Sequence, residues 1–188
     1  VVKIYPGVFH PGLFFSTKVL LNYLTLQNLK ESWVLELGAG TGLISIYSAK
    51  NGAVVTASDI NPSALLNIAD NAETNNVKIK IVNSDLFDNL SAIDFNWIVI
   101  NPPYYPKKAL HEKELAWYCG ENFEYFQKLF VQLKNIDLLR SKVIMILSED
   151  CNLEKIHMLA KTERLTMDVI YQESISGEAN YIYQVING

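Results

Sequence analysis

From Trp33 onward, short apolar runs alternate with stretches whose apolar positions recur at helical spacing. "WVLEL" (33–37) predicts a short buried strand, "LISIYSAK" (43–50) a helix and "AVVTAS" (53–58) a second strand. Asn61 then stands as an N-cap with Pro62 in the first helical position. Leu65, Ile68, Ala69 and Ala72 follow at helical intervals. "VKIKIVN" (77–83) alternates apolar residues with lysine, which predicts a strand on the outside of a sheet. "FNWIVI" (95–100) is apolar nearly throughout, as a strand covered on both faces requires. Phe123, Phe126, Phe130 and Leu133 mark an amphipathic helix. "KVIMIL" (142–147) is another buried strand, and a helix near 152–162 follows. "RLTMDVIYQES" and "NYIYQVI", on either side of Ser176-Gly177, predict two strands and a turn. Ahead of Trp33, Ser16 is placed to cap a helix carrying Val19, Leu20, Tyr23 and Leu24.

Strands alternating with helices predict an α/β fold, a doubly wound and mostly parallel sheet of seven strands covered on both faces. The last two strands, joined by a short turn, must be antiparallel. No internal repeat, low-complexity tract or linker divides the chain. Residues 1–32 are therefore expected to form a leading segment and helix within the same domain as residues 33–188.

Composition narrows the class. Of 188 residues, 49% are hydrophobic, which supports a full core and excludes a disordered chain. The net charge of −4 does not advertise a nucleic-acid binder, although a local basic face can sit within an acidic total. No apolar run approaches the roughly 18 residues of a membrane span, and no basic leader opens the chain, so a cytoplasmic location is expected. Cys119 and Cys151 form no CxxC pair and fit ordinary buried thiols in a reducing compartment. His10, His111 and His157 lack metal-ligand spacing, so no metal is expected.

The chemistry begins at "LELGAGTG" (35–42), between the first strand and the first helix. Gly38, Gly40 and Gly42 let the backbone turn tightly and approach a ligand. A dinucleotide loop would need glycine at 43, where Leu43 stands. Glu36 puts a carboxylate beside the loop, a poor neighbour for pyrophosphate and a good one for an amine or cation. Asp59 ends the second strand, where a carboxylate can accept both hydroxyls of a ribose or simply favour the next helix's N-terminus. Asp85, in "NSDLF", is either a turn residue or an acceptor for an adenine amino group, with Leu86 packing on the ring.

"ELGAGTG", "SDINPSAL", "NSDLF" and "INPPYYP" resemble the successive motifs of class I S-adenosylmethionine-dependent methyltransferases, from about Pro6 onward. The "NPPY" form resembles the branch that methylates planar nitrogens. That branch includes HemK/PrmC-type glutamine methyltransferases and ribosomal RNA guanine amino-methyltransferases. The resemblance implies a Rossmann-like fold and S-adenosylmethionine as cofactor, leaving S-adenosylhomocysteine as product. Glu36, Gly38, Gly40, Asp59, Ile60, Asp85, Leu86 and Asn101 would hold it. Asn101, Pro102 and Tyr104 would be catalytic, and Pro103 and Tyr105 would meet the substrate.

Two segments resemble the HemK type: "AWYCGENFEYFQKLFVQL" (116–133) and "ISGEANYIYQVI" (175–186). "PGVFHPGLFFSTKVLL" (6–21) looks at least as much like the guanine enzymes. Pro11 is followed by Gly12, Leu13 and Phe14, so the acid typical of both types is absent; Phe14 is a candidate either to cover the cofactor or to pack in the core. No stretch resembles the helical docking domain of bacterial PrmC-type enzymes, so a small stand-alone domain is expected. "PKKALHEKE" (106–114) is either a solvated loop or a substrate-facing lid with Lys107 and Lys108 on a phosphate.

In an NPPY site, Asn101 and the Pro102 carbonyl would accept the two N–H groups of a planar nitrogen, and Tyr104 would stack on its plane. Both acceptors strengthen as positive charge grows on nitrogen, so they favour the transition state. The expected substrate is a macromolecule, first a protein glutamine amide of the release-factor kind, with a guanine or adenine amino group of ribosomal RNA as the alternative. A partner subunit is open. A methyltransferase-like chain without activity, serving as a partner-binding subunit, is the reading from another class.

Overall fold

β1 (Trp33–Leu37) pairs in parallel with β2 (Val54–Asp59) on one side and β4 (Trp97–Ile100) on the other. All but the first residue of β1 are buried, because helices cover both faces of the sheet at this point. The computed structural model describes residues 1–10, 15–90 and 95–188. β3 (Ile79–Asn83), β5 (Lys142–Ser148), β6 (Leu165–Ile175) and β7 (Glu178–Asn187) complete a seven-stranded sheet of order β3-β2-β1-β4-β5-β7-β6. β7 runs antiparallel to both β5 and β6. The lysine-alternating strand lies on the edge, where one side of each residue pair meets water. Ser176 and Gly177 both have positive φ, as a two-residue hairpin turn between twisted strands requires.

The helices divide between the faces. α1 (Phe15–Thr25) and α2 (Leu43–Lys50) place Val19, Leu20, Leu24 and Ile44 in one core with Val34, Val99 and Ile144. α3 (Pro62–Thr74) packs Ile68 against Ala57 beside it. On the opposite face, α4 (Glu124–Leu133) and α5 (Leu153–Thr162) bury Phe126, Phe130, Leu133 and Ile156 against Leu35, Ile98 and Met145. Each fully buried side chain of this size contributes about 1.5–3 kcal/mol. Asn61 caps α3 by accepting the Ser63 N–H, with Pro62 at the first helical position, as its sequence predicts. The expected cap at Ser16 is corrected: Ser16 lies inside α1, which already includes Phe15. Pro11–Phe14, and with them the role considered for Phe14, lie outside the described residues. No helix among the described residues is long and apolar enough to cross a membrane.

Two features position a site. Strand order reverses between β1 and β4, so the loops leaving them open a crevice at the carboxyl edge of the sheet. The β1–β4 register pairs Leu37 with Ile100, which brings Gly38 and Asn101 out side by side. The N-terminal segment also lies along α3. Asn75 donates to the Val1 carbonyl, Asn71 bonds both the N–H and the carbonyl of Lys3, Asn67 accepts the Tyr5 N–H, and Asn61 donates to the Gly7 carbonyl. The Tyr5 hydroxyl donates to Asp70.

Candidate active site

The glycine loop is held from three directions. Gly38 and Ala39 both donate to the Ser58 carbonyl at 2.9 Å, which locks the loop to β2. Gly40 donates to Asp59 Oδ2 at 2.8 Å. Gly42 starts α2 with φ of 74°, and a Cβ there would lie 3.1 Å from Ile68, so its bareness lets α2 approach α3. Gly38 has a similar φ of 71°, yet a Cβ there would meet nothing within 4 Å. Its bareness keeps a cavity open.

That cavity is about 650 Å³, within the range of small-molecule sites. Glu36, Gly38, Gly40, Asp59, Ile60, Asp85, Leu86, Asn101, Pro102, Pro103, Tyr104 and Tyr105 all line it, whereas Gly42, the third glycine of the loop, does not. Glu36 is buried and its Oε2 accepts both the N–H and the hydroxyl of Ser45, at 2.7 and 2.5 Å. Burial pushes its carboxyl up to about 8, against the pull of the Ser45 bonds and helped by the charge of Asp59. Asp59 accepts Gly40 on one oxygen and Asn61 on the other, and burial raises its carboxyl as well. An ionised carboxylate has about four acceptor positions, and the N–H groups of Gly40, Asn61 and Ile60 bond to it, so Asp59 keeps room for a hydroxyl. Ile60 follows it on the rim, partly exposed.

Asp85 sits at the other end, its carboxylate 2.6 Å from Lys128 on α4 and about half exposed. Lys128 also holds Asp88 at 2.6 Å. Leu86 is buried with φ of 52°, a strained setting for leucine. The Ser84 hydroxyl donates to the Leu86 carbonyl and accepts the Asn89 N–H, so a turn built around Ser84 holds Leu86 against the cavity.

Asn101 leaves β4 with its side-chain Nδ2 donating to Thr17 Oγ1 at 3.3 Å. Pro102 is buried behind it, and Pro103 is half-buried. The Tyr104 and Tyr105 rings lie 4.8 Å apart at 51°. Burial raises the Tyr104 phenol, which keeps it neutral. Residues 106–120 turn out to buttress this motif. Tyr105 donates to the Trp117 carbonyl, Cys119 donates to the Tyr105 carbonyl, and Gly120 donates to the Lys107 carbonyl. A 3₁₀ turn at Glu112–Ala116 lies inside the loop so closed. Lys107 stands over the Tyr118 ring at 4.9 Å, and Lys108 lines the cavity.

The sequence pattern does not single out Thr17, Val8, Phe9, Tyr125 or Lys128, which also line the cavity. Thr17 sits in an ordinary amphipathic helix 84 residues from its partner, so no spacing rule connects them. The side-chain chemistry fits a ligand with a diol at Asp59, a cationic group near Glu36, and a flat ring between Leu86 and the Asp85 end.

The family model described as "Methyltransferase small domain" matches residues 1–118. A Methanocaldococcus jannaschii protein, provisionally named a protein N5-glutamine methyltransferase, is 43% identical over 106 residues, covering 56% of this chain and 51% of the relative. The chain thus spans about half the length of that relative. Among solved structures, the E. cuniculi Mtq2–Trm112 complex, whose description names methylation of the eRF1 termination factor, superposes with a TM-score of 0.71 at 20% identity. The match covers 97% of this chain and 99% of the other. The T. thermophilus 16S rRNA N2 G1207 methyltransferase, solved with AdoMet and guanosine, gives 0.59 at 19% identity, covering 97% of this chain and 43% of the other. Both structures share the Rossmann-like architecture described above, and the chain itself belongs to the methyltransferase small domain family.

Proposed function

We propose that the chain moves a methyl group from S-adenosylmethionine to a planar nitrogen of a macromolecule, with a protein glutamine amide of the release-factor kind as acceptor. The observation that carries the reading is the placement of Asn101: its Nδ2 is engaged by Thr17 at the mouth of a cavity that also holds Glu36 and Asp59. Its oxygen is therefore the group left to receive a substrate N–H.

S-adenosylmethionine, when bound, supplies an electrophilic methyl group on a sulfonium. Asp59 would accept the ribose hydroxyls, Glu36 would face the cationic end, and Asp85 and Leu86 would take the adenine. An amide nitrogen is a weak nucleophile because its lone pair is shared with the carbonyl. Asn101 and the Pro102 carbonyl hold its two hydrogens and so aim that pair. Tyr104 fixes the amide plane. Positioning of this kind can supply up to ~7–11 kcal/mol. The proton made acidic by methylation passes to solvent, so no strong base is needed.

The charge at the mouth favours protein over RNA. Asp85, Glu121 and Glu124 line it together with Lys108 and Lys128, and Lys128 is already neutralised by two aspartates. A polyanion gains little at such a rim. An RNA amino group is the second reading, favoured by the likeness to the T. thermophilus enzyme. Because the E. cuniculi protein was solved with Trm112, a partner subunit belongs to the proposal too.

The test is a labelled-methyl assay offering release factors and undermethylated ribosomal RNA side by side, with and without added cell fraction. Label recovered as methylglutamine is expected. Label in RNA alone replaces the acceptor, and label that needs the added fraction identifies a partner. No binding of S-adenosylmethionine at millimolar concentration leaves only the partner-binding subunit.

A further inference from the structure

A helix that starts without a capping side chain leaves N–H groups of its first turn to be satisfied elsewhere. α2 is such a helix, because its N-cap is Gly42. The Ser45 N–H, in the third helical position, is one that a capping side chain ordinarily bonds. Glu36 of β1 takes it instead, on Oε2 at 2.7 Å. The Ser45 hydroxyl bonds the same oxygen at 2.5 Å. A backbone N–H can only donate, so the grip on Oε2 does not depend on where the hydroxyl proton points.

The two oxygens of Glu36 are thereby set apart. Ser45 is wholly buried between Ile44 and Ile46 and does not line the cavity, whereas Glu36 does. Oε2 is therefore turned away from the cavity, into the start of α2. No hydrogen bond from the described residues reaches Oε1. The sheet neighbours of Glu36 are Ala57 and Val99, both buried and without a polar side chain to occupy that oxygen. A serine so deeply buried costs stability unless it is bonded, and Glu36 is its partner.

We propose that Ser45 is a positioning residue that holds Oε2 and so presents Oε1 to the cavity as the receptor for the cationic group of the cofactor. The proposal rests on the reading of Glu36 as the partner of that group. The Ser45 bonds favour the ionised carboxyl, against burial and the charge of Asp59 at the end of β2, which raise it. The first turn of α2 brings no charge, Thr17 of α1 and Asn101 after β4 are neutral, and Lys108 and Lys128 stand at the mouth.

Ser45→Ala removes the hydroxyl and keeps the N–H, in the best helix former. Loss of a bond to the ionised form should raise the Glu36 carboxyl by about one pH unit, equivalent to a tenfold change. The cation needs the ionised form. S-adenosylmethionine should therefore bind the variant about tenfold more weakly at pH 7 and only about twofold more weakly at pH 9, where about half or more of either carboxyl is ionised. Titration of the ligand itself is common to both proteins and cancels in that ratio. In a Glu36→Gln background the effect of Ser45→Ala should not vary with pH. A ratio equal at pH 7 and pH 9, or one that still narrows without Glu36, overturns the proposal.

A second measurement needs no cofactor. In the free protein, the carbon-13 signal of the Glu36 carboxyl should titrate near 8 and move upward in Ser45→Ala. An unmoved midpoint overturns the proposal. A midpoint that moves, in a protein that binds no S-adenosylmethionine at any pH, overturns the reading of the cavity and leaves the hold of Ser45 on Glu36 standing.

Discussion

Asp59 and Gly40, nineteen residues apart, meet through a 2.8 Å bond from the Gly40 N–H to the carboxylate. The acid that would bind a ribose thus also shapes the loop that surrounds it. Asp59→Ala should weaken S-adenosylmethionine binding by about 10–100-fold, the loss of charged hydrogen bonds worth ~1.5–3 kcal/mol. Turnover at saturating cofactor should change by less than about fivefold. Titration calorimetry and saturation kinetics give the two numbers.

Asn101→Ala should do the reverse. Cofactor affinity should stay within about threefold while turnover falls at least a hundredfold, the scale for one preorganised polar group. Equal turnover in the variant would remove Asn101 from the chemistry.

Glu36 couples binding to protons. Its carboxyl, held near 8 by burial, is mainly protonated at neutral pH in the free protein. A cation beside it favours the ionised form, so binding should release a proton. Affinity for S-adenosylmethionine should rise by up to about tenfold per pH unit between pH 6 and 8 and level off above. The free fold follows the opposite course. A carboxyl raised above its unfolded value stabilises at low pH, and that contribution fades as pH climbs from about 4.5 to 8. Glu36→Gln should flatten both dependences, read by calorimetry and by melting temperature across pH.

Asn71 is fully buried and bonds Lys3 at both its N–H and carbonyl, and also the Thr41 carbonyl. Asn71→Leu should destabilise by about 2–4 kcal/mol, since several backbone groups lose their partner at once. Cofactor binding should weaken as well, because the N-terminal segment brings Val8 and Phe9 beside Gly40. Denaturant midpoints with and without cofactor measure both effects.

Gly42→Ala and Gly38→Ala should separate stability from binding. Both positions have positive φ, a cost of ~1–2 kcal/mol for alanine. At Gly42 the added methyl also crowds Ile68, so the melting temperature should drop further there. At Gly38 the methyl enters the cavity, and cofactor affinity should be the quantity that suffers.

Much of this molecule was legible in its sequence because the signals were local. Strand and helix periodicity, the Asn61-Pro62 cap and the Ser176-Gly177 turn depend on neighbours within a few residues, and the site motifs lie at consecutive strand ends. The hidden part is non-local. Thr17 gains its meaning from the packing of α1 on the sheet, and Lys128 from α4 lying across the Asp85 turn. The backbone bonds that tie 105–107 to 117–120 leave no trace in side-chain pattern at all.

The segment along α3 has one more consequence. Residues 1, 3, 5 and 7 face Asn75, Asn71, Asn67 and Asn61 in reverse order, the two-residue rhythm of an extended chain against amides spaced along a helix. α3 thereby acts as an imitation sheet edge assembled from side chains. Because it grips main-chain groups, most of the segment is held by its conformation rather than by its side chains. Tyr5, whose hydroxyl donates to Asp70, and Gly7, at a φ of 80°, are the places where identity also counts. Elsewhere in the segment the constraint falls on the asparagines that hold its backbone, not on the residues that they hold.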